Sequence, residues 1–285
     1  MRWPWSSSDD DDQEWRKRPI SKWNENINAI DWQHYTEPRQ LIPTILLTAT
    51  TLFFVRVYKS YLRRIPSVEH IKPTFFRQRS LFGTVTRVGD ADNFHLFHTP
   101  GGKLAGWGWL PGRRVPTKRD ELAAKTIHIR IAGIDAPELA HFGRPAQPYS
   151  QEAHGWLKNY ILNRKVRAYI YRRDQYDRVV ASVHVRHRLF RKDVGLEMLK
   201  TGLATVYEAR TGSEFGDLEQ KYRDAEAQAK KDKVGMWAQP SRLGRFFEKS
   251  KQELESPREY KNRMKAEEEK QAQLKEAKEK RQGRK

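Results

Sequence analysis

The chain has 285 residues, of which 55 are Lys or Arg and 36 are Asp or Glu, so its formal net charge is +19. It contains no cysteine, which excludes disulfide bonds, zinc–thiolate sites and thiol catalysis. The length allows one domain of about 150 residues with flanking segments. The positive charge favours a polyanionic partner, either nucleic acid or an anionic membrane surface.

The N-terminal part of the chain contains an irregular segment followed by an apolar run. Residues 1–40 show no periodicity, and their acidic run argues against a cleaved transit peptide. No charge lies between Arg39 and Arg56, and we predict one transmembrane helix at residues 41–58. Its threonines can bond to helix carbonyls, which lowers the cost of placing them in lipid. A buried helix of a soluble domain is the alternative.

Residues 59–79 are interpreted as a linker, and residues 80–238 as a folded domain. Alternating apolar residues predict strands at 85–88, 94–97, 127–131, 166–170 and 181–185. Helices are expected at 150–162, 193–202 and 214–232. Short strands with few helices predict a mainly β, α+β domain, namely a five-stranded Greek-key barrel of the OB-fold type with about three helices. The charged tail, residues 239–285, is expected to be a solvated helix or disordered.

Three segments of this domain carry residue types suited to phosphodiester chemistry. Asp90 and Asp92 lie in a turn. The next segment delivers Arg130 on the strand face opposite the isoleucines, and Asp135 and Glu138 follow the end of that strand. Arginine stays cationic and binds two phosphate oxygens at once, while carboxylate oxygens suit a hard divalent cation. For the second segment alone, a surface ion pair is an equally simple reading.

The third segment is the run Y-x-R-V-V-A from Tyr176 to Ala181. Together with the D-x-D turn and the R-x-x-x-x-D-x-P-E run from Arg130 to Glu138, it resembles the staphylococcal nuclease, or thermonuclease, family. The resemblance covers about residues 80–238, with an expanded loop at 98–124. It implies an OB-fold barrel that binds one Ca²⁺, needs no organic cofactor, and cleaves DNA or RNA.

The resemblance also implies a role for each matching position. Arg130 and Arg178 would contact the phosphate, and Glu138 would be the general base. The implied metal ligands are the carboxylates of Asp92 and Asp135 and the backbone carbonyl of Ala136.

Two positions depart from the family pattern. Asn93 stands where the family turn usually has Thr, and Asp177 stands where it usually has Gly before the second arginine. The extra carboxylate of Asp177 could pair with Arg178 or point to solvent, and the sequence leaves both possibilities open.

The functional prediction is a calcium-dependent endonuclease anchored to a membrane. A membrane segment before such a domain is similar to a group of fungal membrane-anchored endonucleases, whose family location is mitochondrial. One alternative is a non-catalytic nuclease-like module that binds nucleic acid or protein, and another is a membrane adaptor that acts through its terminal segments. Membrane orientation, DNA or RNA preference, and oligomeric state are left open.

Overall fold

The computed structural model describes residues 37–140, 144–207, 214–238 and 256–282. The chain divides into two compact units, Met1–Ser60 and Tyr61–Lys285, and each is described by itself. The prediction for residues 1–40 lies almost wholly outside the described residues, and so does the part of the tail prediction that concerns residues 239–255.

The described residues of the first unit, from residue 37 onward, form a long helix, α1, at Pro38–Val57. Thr48 and Thr51 each donate a hydrogen bond of 2.8 Å to the carbonyl four residues earlier, which confirms the predicted hydrogen bonding for these two threonines. The stretch Leu41–Leu62 is long and apolar enough to cross a membrane, and no part of it is buried within the protein. Length and composition alone support that statement.

The described residues of the second unit form eight strands, numbered in chain order. They are β1 (Ser80–Asp90), β2 (Asn93–His98), β3 (Ile127–Ile131), β4 (Ile134–Asp135), β5 (Lys165–Arg173), β6 (Val179–His187), β7 (Phe190–Asp193) and β8 (Thr205–Val206). The α-helices described beside them are α2 (Arg119–Leu122), α3 (Ser150–Ile161), α4 (Val194–Lys200), α5 (Glu219–Asp232) and α6 (Pro257–Gln282).

Five strands close a ring. The larger sheet has the order β3-β2-β1-β5-β6-β7, and β3 also pairs with β6 in parallel orientation, as Arg130 opposite Val180 shows. All other pairs in this sheet are antiparallel. This order is that of the predicted OB-fold, and the predicted fold class is confirmed.

The core follows the predicted alternation along β3. Ile127, Ile129 and Ile131 are buried, whereas His128 and Arg130 between them are only partly buried. The helix predicted from residue 214 starts later, at Glu219. A short 3₁₀ turn precedes it, because Asp217 has non-helical dihedral angles.

Residues 59–79, predicted as a linker, contribute to the same core. Ile65, Val68 and Ile71 are buried in it, and the backbone N–H of Ile65 donates to Nδ1 of His98 at 2.9 Å. The described elements of this segment are a π-helical turn, Tyr58–Leu62, and two 3₁₀ turns, Val68–His70 and Pro73–Phe75, so no strand or α-helix period marks it in the sequence. The predicted domain boundary near residue 80 stays a prediction.

Candidate active site

The turn between β1 and β2 places Asp92 beside β3. Asn93 is the cross-strand partner of Arg130, and its amide nitrogen donates to Oδ1 of Asp92 at 3.1 Å. Its amide oxygen accepts from Nε2 of His128 at 3.0 Å. Asp92 and Asn93 are both buried. Asn93, a departure from the usual family residue, therefore holds the Asp92 carboxylate in place.

The turn from β3 to β4 requires glycine. Gly133 has φ +74°, and a Cβ at that position would lie 2.7 Å from the ring of Phe215. After the turn, β4 pairs with β8, so that Asp135 is the partner of Thr205. The sharp reversal brings Asp135 back toward Arg130.

Arg130 forms ion pairs with two carboxylates. Its Nη2 lies 3.1 Å from Oδ2 of Asp92 and 3.6 Å from Oδ1 of Asp135. Burial favours the neutral guanidinium, but the two carboxylates outweigh burial, so the pKa of Arg130 is raised. The pKa of Asp135 is raised by burial, although neighbouring cations oppose that effect. Three predicted site residues are thus in direct contact.

A cation from the C-terminal helix also reaches this carboxylate. Nζ of Lys261, on α6, lies 2.8 Å from Oδ1 of Asp135 and 3.1 Å from Oε1 of Glu138. Burial opposes the charge on Lys261, but the two carboxylates dominate and raise its pKa. The tail forms the predicted charged helix over Pro257–Gln282. Its first turn is not fully solvated as predicted, because Tyr260 is buried and Lys261 is partly buried.

Several contacts hold that first turn against the loop after β4. The hydroxyl of Tyr260, a buried residue, donates to the carbonyl of Pro145 at 2.6 Å. The side-chain oxygen of Gln147 accepts from the Glu138 backbone N–H at 2.9 Å, and its amide nitrogen lies 3.5 Å from the Pro257 carbonyl. The Glu138 loop and α6 are therefore joined.

Arg178 is oriented by Asp174. Nε of Arg178 donates to Oδ2 of Asp174 at 2.7 Å, while the backbone N–H groups of Tyr176 and Arg178 donate to Oδ1 at 2.8 Å. Burial raises the pKa of Asp174, but these hydrogen bonds outweigh burial and lower it. Asp174 is therefore an anionic clamp on Arg178.

The extra carboxylate of Asp177 pairs elsewhere. Its Oδ1 accepts from Nη2 of Arg173 at 2.5 Å, and the pair is largely exposed. Asp177 has φ +58°, a conformation that glycine adopts without strain, which accounts for the usual family residue. Arg178 is thus not the partner of Asp177.

One cavity of about 280 Å³ is lined by both Arg130 and Arg178. Tyr207 also lines it, and the Arg130 guanidinium carbon lies 5.4 Å from the centroid of that ring. Neither Asp135 nor Glu138 is among its described lining residues; Lys261 pairs with both carboxylates, and Asp135 in turn pairs with Arg130.

Three residues of this site, Asp174, Tyr207 and Lys261, were not predicted from the sequence. The Asp174-x-x-x-Arg178 spacing, which begins just before the run from Tyr176 to Ala181, is a usable signal for the first of them. No pattern distinguishes Tyr207, or Lys261 within a run of alternating charges.

The predicted metal ligands are oxygen donors. In the described ranges, no group of three or more His, Asp and Glu side chains is arranged as metal ligands; Asp92 pairs with Arg130, and Asp135 pairs with Lys261. The Lys261 ammonium shows that a cation is accepted between Asp135 and Glu138. Carboxylate oxygens are the ligands Ca²⁺ prefers.

Comparison with known proteins identifies the family. Residues 128–239 match the family described as staphylococcal nuclease homologue. The chain is 66% identical over 246 residues to a protein named probable endonuclease lcl3 from Sclerotinia sclerotiorum, covering 86% of this chain and 89% of that one. It is 63% identical to the protein of that name from Pyrenophora tritici-repentis and 60% identical to the one from Pyricularia oryzae, each over 92% of this chain and 96% of the relative. With this identity over most of both chains, the chain belongs to the staphylococcal nuclease homologue family, whose members act on nucleic acids.

Proposed function

We propose that the chain is a Ca²⁺-dependent endonuclease, anchored to a membrane, that hydrolyses phosphodiester bonds of DNA, RNA or both. The observation that carries the proposal is the cavity lined by both Arg130 and Arg178, with Asp92 and Asp135 bonded to the first of these arginines. Two fixed guanidiniums beside carboxylates match the charge distribution of a phosphodiester under nucleophilic attack.

The two arginines bind and neutralise the phosphate. Negative charge grows on its oxygens as a water attacks, and the guanidiniums are held in place before the reaction begins. Arg130 is held by Asp92 and Asp135, and Arg178 by Asp174. Glu138 accepts the proton of the attacking water as general base. Its backbone is fixed by Gln147.

Asp92, Asp135 and the carbonyl oxygen of Ala136 would hold the calcium ion, which supplies charge neutralisation at the phosphate and orients a water. Lys261 pairs with the Asp135 carboxylate, which this role requires, and also with Glu138. In the calcium-bound, active form, the Lys261 side chain therefore no longer contacts these two carboxylates.

The membrane attachment in this proposal is supported by α1. Its apolar side chains are exposed, and Leu41–Leu62 has the length and composition of a span. A mitochondrial location, which rests on the resemblance to fungal membrane-anchored endonucleases, is part of the same proposal.

The same Lys261 contact favours a second candidate function. A module that binds nucleic acid without cleaving it would keep Asp135 and Glu138 permanently paired with a lysine. Such a module binds polyanions through its positive charge and needs no metal.

A digest of full-length protein in detergent, with single- and double-stranded DNA and RNA, tests both functions. We expect cleavage in Ca²⁺ and none in chelator. Glu138→Gln should lower kcat by roughly 10²- to 10⁴-fold with substrate binding retained, because it removes only the proton acceptor. Glu152→Gln, the same change at an exposed position of α3, is the control. Equal cleavage in chelator would refute the metal mechanism, and binding without cleavage would establish the second function.

A further inference from the structure

The Tyr61–Lys285 unit has a second concavity, of about 880 Å³, that shares no residue with the cavity of Arg130. Among the described residues that line it, none is acidic. Five are cationic, and we name this surface the basic groove: Lys103, Lys165, Arg167, Arg186 and Arg191.

The basic groove holds like charges against each other. Arg186 of β6 and Arg191 of β7 are direct cross-strand partners. In the described part of the chain, none of the five groove cations forms an ion pair with a carboxylate, whereas Arg130 and Arg178 both do. Like charges directly opposite each other destabilise a sheet. An anionic ligand bridging the two arginines would remove this repulsion, so the groove has the character of an anion site.

The rim of the groove is apolar and exposed. Leu104 is 99% exposed and Leu189 is 81% exposed, and both line the groove. Phe190, beside Leu189, is 75% exposed. Single-stranded nucleic acid is usually held on several aromatic faces within a basic channel, whereas of Tyr61 and Phe82, which line this groove, only Tyr61 is largely exposed. Projecting leucines next to cations are instead typical of surfaces that enter the headgroup layer of a membrane.

The covalent chain gives a further reason to favour lipid. Tyr61 lines the basic groove, and it also belongs to the apolar stretch Leu41–Leu62. Because Tyr61 belongs to both, the basic groove stays close to any membrane that the apolar stretch enters.

We infer that the basic groove docks on anionic lipid headgroups, with Leu104 and Leu189 entering the boundary between headgroups and acyl chains. For its location this inference rests on the membrane attachment proposed above. The groove uses Lys165 and Arg167 at the start of β5, whereas the Arg130 cavity uses Arg172 and Arg173 at its end. A strand rises about 3.3 Å per residue, so about 20 Å separates Arg167 from Arg173. Docking at the groove leaves the cavity in water.

The absence of cysteine allows a clean labelling test. A polarity-sensitive fluorophore is attached to Leu189→Cys in the full chain and read in nanodiscs of phosphatidylcholine, alone or mixed in equal parts with phosphatidylglycerol. We expect a blue shift only with the anionic lipid. The matched label at Tyr176→Cys, on the turn at the other end of the β5–β6 hairpin, should report water in both.

Charge removal tests the groove itself. Arg186→Gln with Arg191→Gln should weaken docking roughly 30-fold, given the usual contribution of two cations near a membrane surface. Lys221→Gln with Lys231→Gln, the same charge change on exposed positions of α5, should leave the blue shift intact.

The possible outcomes separate this inference from the membrane anchor. Co-elution of the chain with nanodiscs reports on the membrane anchor. If the chain does not co-elute, the fluorescence of the Leu189 label is measured with vesicles of the same lipids instead. No lipid-dependent shift, or an equal shift in both lipids, overturns the inference. A shift caused by a single-stranded oligonucleotide instead of lipid would assign the groove to nucleic acid.

Discussion

Replacing Lys261 by Met should strengthen Ca²⁺ binding. The substitution removes the ammonium from Asp135 and Glu138 and keeps an unbranched side chain of good helix propensity. A competing cation at an essential oxygen lowers the apparent affinity for any other cation, so its removal should raise that affinity. Without calcium, the variant leaves Asp135 and Glu138 unneutralised and should be less stable than the parent protein.

The size of the effect follows from the contact. A hydrogen bond to a charged group contributes about 1.5–3 kcal/mol when buried. The Lys261 side chain is 33% exposed, so solvent weakens both of its bonds, and ordering a lysine costs up to about 2 kcal/mol. A net contribution of about 1.4 kcal/mol corresponds to a tenfold lower Kd for Ca²⁺ in Lys261→Met.

Isothermal titration of full-length protein in detergent measures this Kd, and thermal unfolding with and without Ca²⁺ gives a second reading. Lys265→Met is the matched control, since it makes the same change one turn later on α6, at an exposed position. A Kd for Lys261→Met equal to that of Lys265→Met would refute the reasoning that the lysine occupies the cation site.

Three further predictions concern the barrel. Asp174→Asn should lower kcat on the order of tenfold by losing the charged bond to its arginine, with KM changed less, whereas Asp177→Asn on the same turn should have little effect. Burial lowers the pKa of His98 to about 4, below the usual value of about 6.5. The neutral histidine therefore contributes its full stability above pH 6.5, and this contribution is lost as the pH falls toward 4. Urea unfolding across that range should show a loss of up to about 3 kcal/mol that His98→Asn lacks; an equal pH slope in the variant would contradict this. Gly133→Ala should destabilise by about 1–3 kcal/mol more than Gly108→Ala, because both have positive φ but only Gly133 has an aromatic ring in the way.

The fold could be predicted because its signals are local and repeated. The alternation of Ile127, Ile129 and Ile131 marks a strand with one buried face, and that same period predicts that Arg130 points the other way. The core contribution of Ile65 could not be predicted, because its partner His98 lies far along the chain and the residues around Ile65 have no strand or helix period.

The site was predictable where the family motif is contiguous and unpredictable where the contact is distant. Asp135 and Glu138 lie within one run that follows a strand. Lys261 is brought to them by packing of Tyr260 and by Gln147, across more than a hundred residues and from a tail whose charges alternate. The burial of Tyr260 places the neighbouring Lys261 at the carboxylates. The composition of the tail does not reveal which of its residues is buried.

The long connection between β2 and β3 has a consequence for how this chain can change. Its ends are fastened by the antiparallel ladder, with Leu96 opposite Ile127, and β3 is fastened in turn to β6. Closing a longer loop costs only about 0.6 kcal/mol for each doubling of its length. The loop that carries Leu104 can therefore change in length without moving Arg130, so the reach of its surface can be altered while the chemistry at the other end of the barrel stays the same.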